Sequence, residues 1–157
     1  LQQTQDAYTY YNALASDSGI RLRPFHSLQE LMELRTSTAR AIPLQIKVAG
    51  DSSGILDASL KNVINQMGLQ EKDNSEYQIV AVVHPEPSKT LGQQFFQPLR
   101  LNISFNYGEK NLFAFVDKTE QGGSTIEEAT SRALKVLSQN IENKFRKDFI
   151  QFLLNLQ

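Results

Sequence analysis

The sequence predicts an α+β fold: a mainly antiparallel sheet of roughly four strands, two long helices packed on one of its faces, and an N-terminal helical extension. Three observations carry this reading. Leu99, Leu101, Ile103, Phe105 and Tyr107 alternate with Arg100, Asn102, Ser104 and Asn106, the period of a half-buried strand. The chain then turns at Gly108-Glu109-Lys110 and returns as Leu112-Phe113-Ala114-Phe115-Val116, completing a hairpin. After a break at Gly122-Gly123, a capping box at Ser124-Thr125-Ile126-Glu127 opens a long helix. Its stripe of Ile126, Thr130, Ala133, Leu134, Leu137, Ile141, Phe145 and Phe149 is expected to roof the hairpin.

The remaining elements follow in order. Ala7, Tyr8, Tyr11, Leu14 and Ala15 lie at helical spacing, and Ser18-Gly19 ends that helix. A capping box at Ser27-Leu28-Gln29-Glu30 opens a second short helix. These make residues 1–38 a helical extension with too little apolar surface to fold alone. Residues 39–157 are expected to form the α+β domain, in the order β-α-β-β-β-α.

Its first strand runs from Pro43 to Ala49, with Leu44, Ile46 and Val48 on one side. Asp51, Ser52 or Ser53 caps a helix from about Ile55 to Met67, buried through Leu56, Leu60, Val63, Ile64 and Met67. The run Ile79-Val80-Ala81-Val82-Val83 within Tyr77–His84 reads as a central strand covered on both faces. Pro85-Glu86-Pro87 ends it, and Ser88–Gln97 reads as a loop.

A chain of 157 residues with 40% hydrophobic and 21% charged side chains has ordinary globular composition. Its net charge of −1 gives no bulk attraction to nucleic acid or to an anionic membrane. The absence of cysteine removes disulfides, thiolate metal sites and cysteine nucleophiles together. The chain opens on Leu1, so it is expected to be a processed or truncated piece; any signal peptide or lipid-anchor cysteine would precede it.

No constellation of side chains converges on chemistry. His26 and His84, the two histidines, sit beside a cap and a proline rather than among carboxylates, so no metal and no cofactor is expected. Glu127 and Glu128 are adjacent on a helix and point about 100° apart, which suits the helix dipole rather than paired acid catalysis. Gly122-Gly123-Ser124 before a helix has the form of an anion-binding corner, though without a phosphate-loop lysine. It is the candidate ligand site, with the Asp51–Gly54 turn as a second.

Aromatic pairs such as Phe95-Phe96 have glutamines for neighbours rather than cations, which favours protein contact over nucleic acid. From Phe149 the last helix is apolar on several sides, through Phe152, Leu153 and Leu156. That surface is expected to dock on the N-terminal helices, a second copy or a missing domain, and is a candidate protein interface.

The hairpin, the Gly122-Gly123 link and the Ser124-Thr125-Ile126-Glu127-Glu128-Ala129…Arg132-Ala133-Leu134 entry together resemble a pattern in bacterial envelope proteins. It is similar to LPP20-type lipoproteins and, more loosely, to TolB N-terminal and CsgG-like α/β domains. The resemblance implies the same element order, no catalytic residues, and a place in the periplasm or at the outer membrane, membrane-bound only through a lipid anchor. The expected function is therefore non-catalytic protein–protein contact or assembly, with a protein partner or a second copy. The alternative is a small-molecule or anion-binding domain.

Overall fold

The computed structural model describes residues 43–155. The expected helical extension over residues 1–38 lies outside these, as do His26 and Leu156. Within them the order is β1 (Pro43–Ala49), α1 (Ile55–Gln66), β2 (Gln70–Glu71), β3 (Tyr77–Pro85), β4 (Lys89–Leu91), β5 (Gln94–Tyr107) and β6 (Lys110–Gly123). The chain ends in one long helical rod: α2 (Ile126–Asn140), a π-helical turn (Ile141–Phe145) and α3 (Arg146–Leu154).

The fold is α+β, and the sheet is larger and more mixed than the sequence reading of four mainly antiparallel strands. It has six strands, in the order β2-β1-β3-β5-β4, with β6 on the remaining side of β5. β1 runs parallel to β3, from Gln45 opposite Gln78 to Ala49 opposite Val82, because α1 carries the chain back to the end where it started. β3, β4 and β6 are each antiparallel to β5.

Two segments read as loop or break are strand. Pro87 interrupts the line of β3, yet the chain resumes along the same edge of β5 as β4, pairing Lys89 with Phe96 and Leu91 with Gln94. β6 continues past Val116 through Asp117-Lys118-Thr119-Glu120-Gln121 to Gly123, still paired with β5. Composition hid this extension: a polar run reads as loop, but an edge strand with one solvated face needs few apolar residues.

One face of the sheet carries the core. Leu44 and Ile46 of β1, Ile79, Ala81 and Val83 of β3, and Leu99, Leu101, Ile103 and Phe105 of β5 are buried under Leu56, Leu60, Val63 and Ile64 of α1. α2 adds Ala133, Leu134 and Leu137. Where the two helices cross, Ser59 and Ser138 share a hydrogen bond of 2.7 Å. Ile126, expected in the stripe, is 40% exposed because it precedes the point where the helix reaches the sheet. Val80 and Val82 are only half-buried, so β3 is covered on one face and not on both. An apolar run on a central strand does not by itself show a second cover.

The π turn has a geometric cause. Leu137, Ile141, Phe145 and Phe149 are spaced by four and are all buried. In a regular helix each step of four overshoots a full turn by about 40°, so three steps would rotate Phe149 well off the sheet. One wider turn over Ile141–Phe145 absorbs that drift and keeps the row facing inward.

Candidate functional site

The second face of the sheet has no described element over it. From β3, Gln78, Val80 and Val82 project there; from β5, Asn102, Ser104 and Asn106; from β6, Ala114, Val116 and Lys118. Its amides and hydroxyls hold one another. Asn111 Nδ2 donates to Asn106 Oδ1 at 2.9 Å, Asn106 Nδ2 to Ser104 Oγ at 3.1 Å, and Lys47 Nζ to Gln78 Oε1 at 3.2 Å. The result is a polar surface with valines between its polar rows; Val116 is 63% exposed.

One end of this face is charged. Glu86 accepts from Lys118 and lies 3.3 Å from Arg100, while Lys89 bridges to Glu120 at 3.1 Å. The Lys118 hydrogen bond holds the Glu86 carboxyl below its ordinary pKa; partial desolvation opposes it, and the charges of Lys118 and Arg100 add to it. His84 stands opposite Arg100 across the strands and is exposed. Beyond this end projects the β4–β5 hairpin, whose Leu91 is 74% exposed and whose Gly92 takes φ +61° in the two-residue turn. Phe95 and Phe96 are half-buried at its base.

The Gly122-Gly123-Ser124 corner is occupied by the chain itself. The helix cap is Thr125, one residue later than the sequence suggested, and its Oγ1 accepts from the Glu128 amide at 3.1 Å. Glu128 reaches back, and its carboxylate accepts from the Ser124 amide at 2.7 Å and the Ser124 hydroxyl at 2.6 Å. Arg132 then ties this carboxylate, at 2.6 Å, to the carbonyl of Gly122, at 2.9 Å. Any external anion must displace Glu128. The other turn is likewise filled, since Asp51 Oδ2 accepts from the Leu56 and Asp57 amides at 2.7 and 3.2 Å.

The Ser124 hydroxyl, then its amide, then the charge of Arg132 hold the Glu128 carboxyl below its ordinary pKa, against some desolvation. A carboxyl depressed in the folded state adds stability above its unfolded pKa of about 4.3 and loses it as pH falls through the folded value. The gap in Tm between wild type and Glu128→Gln is therefore expected to be widest near neutrality and to close in acid. A gap independent of pH would mean that the charge contributes nothing.

The apolar end of the helical rod is largely core. Phe149 has no exposed surface and packs in the aromatic cluster with Phe105, Phe113, Phe145 and Phe152. It is not the interface residue expected from sequence, because the phenylalanines of the chain's own hairpin cover it. Phe152 and Leu153 are half-buried against the same core, and among the described residues of this end Leu154, at 62% exposure, is the apolar one left open. The sequence signal for the open face lay in the row Arg100, Asn102, Ser104, Asn106, but the valines of β3 disguised it.

The chain superposes on a minor lipoprotein from Acinetobacter baumannii with a TM-score of 0.50 and 13% identity, over 68% of this chain and 92% of that one. A lipoprotein from Caulobacter crescentus gives a TM-score of 0.51 at 9% identity, over 78% and 97%. The fold is one that bacterial lipoproteins use. At these identities the likeness concerns the fold alone. No protein-family model and no curated protein matches the sequence.

Proposed function

We propose that this chain is a non-catalytic domain of a bacterial envelope lipoprotein, periplasmic or at the outer membrane, that works by contact with protein through the open face of its sheet. The observation that carries this is the asymmetry of the sheet. Among the described residues one face is roofed by two helices, and the other offers rows of mutually bonded amides around half-buried Val80 and Val82 and exposed Val116. An open sheet face of this kind suits a macromolecular partner, whereas chemistry needs a concave site with convergent groups. The lipoprotein fold supports the envelope location. The narrower kinship with LPP20-type, TolB N-terminal or CsgG-like proteins rests on the Ser124–Leu134 motif, most of which serves as cap and packing here. The anion-binding alternative has Glu128 already in its corner.

A photoreactive amino acid placed at Ser104 or Val116, in the cells that make the protein, is expected to give covalent protein adducts. The same group at Ser131, on the exposed side of α2, is expected to give none. Adducts from neither sheet position would remove the reading.

A further inference from the structure

β6 lies at a margin of the sheet: among the described residues it pairs only with β5. The register slips at Leu112, so its regular part runs from Phe113 to Gly123. Two bonds show which of its main-chain groups turn outward. The Gly108 amide donates to the Glu76 carbonyl and the Glu86 amide to the Pro98 carbonyl, at 2.9 and 3.0 Å, so even-numbered positions along β5 bond toward β3. Odd-numbered positions therefore bond toward β6, through Phe113, Phe115, Asp117, Thr119 and Gln121. The residues between these, Ala114, Val116, Lys118 and Glu120, direct their N–H and C=O groups away from β5, and all are exposed.

Such an edge is a template for another strand, and lysines or charges set against a newcomer ordinarily defend it. Here the charges are drawn off. Lys118 reaches back over β5 to Glu86, and Glu120 to Lys89 at 3.1 Å; both partners lie on the β3 side of β5. Asp117 turns toward the helical rod, accepting from Asn140 at 2.6 Å and Lys144 at 3.4 Å. What lines the edge is main chain, with Ala114 and Val116 beside it on the open face. We propose that β6 takes up an extended, uncharged segment of another protein as a further strand, which deepens the protein-contact reading above by naming the form of the partner. Main-chain pairing supplies affinity, and alternate side chains supply choice. A residue opposite Val116 extends the row Val82, Asn102, Val116, where a β-branched side chain packs well. With Lys118, Glu120 and Asp117 each bonded within the chain, charge selects neither a charged segment nor a second copy.

A library of short displayed peptides, selected on the purified full chain, is expected to enrich neutral sequences with Val, Ile or Thr at alternate positions. A selected peptide is then synthesised and N-methylated one residue at a time. Its N–H groups face β6 at every second residue, so methylation weakens binding at alternate positions and leaves it unchanged between them. On the protein, Val116→Pro removes an outward N–H and no bond to β5, so it keeps its circular dichroism and binds about tenfold more weakly. Val116→Thr keeps the N–H and binds as wild type. The methylated peptides test the same bonds on unaltered protein, whatever Val116→Pro does to folding. No enrichment, enrichment of charged sequences, losses that do not alternate, or full binding by folded Val116→Pro overturns strand addition. So does a dimer of the chain that Val116→Pro takes apart, which gives the edge to a second copy. Adducts at Ser104 without strand binding overturn only the edge; strand binding without such adducts overturns the sheet-face reading alone.

Discussion

Phe149→Ala is expected to lower the free energy of unfolding by about 3–5 kcal/mol, the range for truncating a fully buried phenylalanine. The ring has no exposed surface, and its centroid lies 5.2 Å from Phe105, 5.5 Å from Phe113 and 5.3 Å from Phe145. Three of these neighbours come from different elements: Phe105 from β5, Phe113 from β6 and Phe145 from the π turn. No single segment can collapse into the space left behind, so the cavity cost adds to the lost transfer energy. Phe152→Ala, at the half-buried margin of the same cluster, is expected to cost less. Denaturant titration measures both. If Phe149 were an interface residue, its truncation would change the mass in solution and leave the unfolding midpoint of the monomer in place. A loss below about 1 kcal/mol would put it among ordinary substitutions and contradict its burial.

Much of the fold was legible because its signals are local. The period-two row Leu99–Tyr107 is strand, and its odd members from Leu99 to Phe105 are buried. Of the stripe, Leu56, Leu60, Val63 and Ile64 are fully buried and Met67 partly so, and Asp51 caps that helix by accepting two amides. What failed were inferences about what lies opposite a surface. Periodicity shows that Phe149 must be covered, but it cannot say whether the cover is the chain's own hairpin or another molecule. Two phenylalanines facing inward from adjacent strands, Phe105 and Phe113, supply that cover, and only the register of β5 with β6 brings them together. The same limit applies to Val80 and Val82, whose apolar character fits a covered face or an open one.

The capping motif misled by a single residue. Ser124-x-x-Glu127 and Thr125-x-x-Glu128 both satisfy the pattern. The structure takes the second, because Glu128 from that position also meets Arg132 one turn on. That choice turns the corner from a set of free donors into a closed network. It also changes what the two glycines beside it are for.

Gly123→Ala is expected to destabilise the fold by about 1–3 kcal/mol, the range for forcing atoms into a filled space. A β-carbon there would lie 2.7 Å from the Ala129 amide nitrogen and 3.0 Å from the Thr125 carbonyl oxygen. Both belong to the backbone of the first turn of α2, so the helix must move away from the end of β6, straining the bonds that Glu128 and Arg132 make around it. Gly122 is a contrast within the same dipeptide. The nearest atoms to its β-carbon would be those of the Phe96 ring, at 3.0 Å, and a half-buried ring can swing aside. The reduced freedom of the unfolded chain returns about 0.4–1 kcal/mol for a glycine replaced without strain, so Gly122→Ala is expected to be close to neutral. An anion cradle would make both glycines matter to ligand binding and neither to the empty fold. Unequal unfolding midpoints for the two variants, with no ligand present, would instead assign Gly123 to the joint between strand and helix. Equal midpoints would break that assignment and return the corner to candidacy as a binding site.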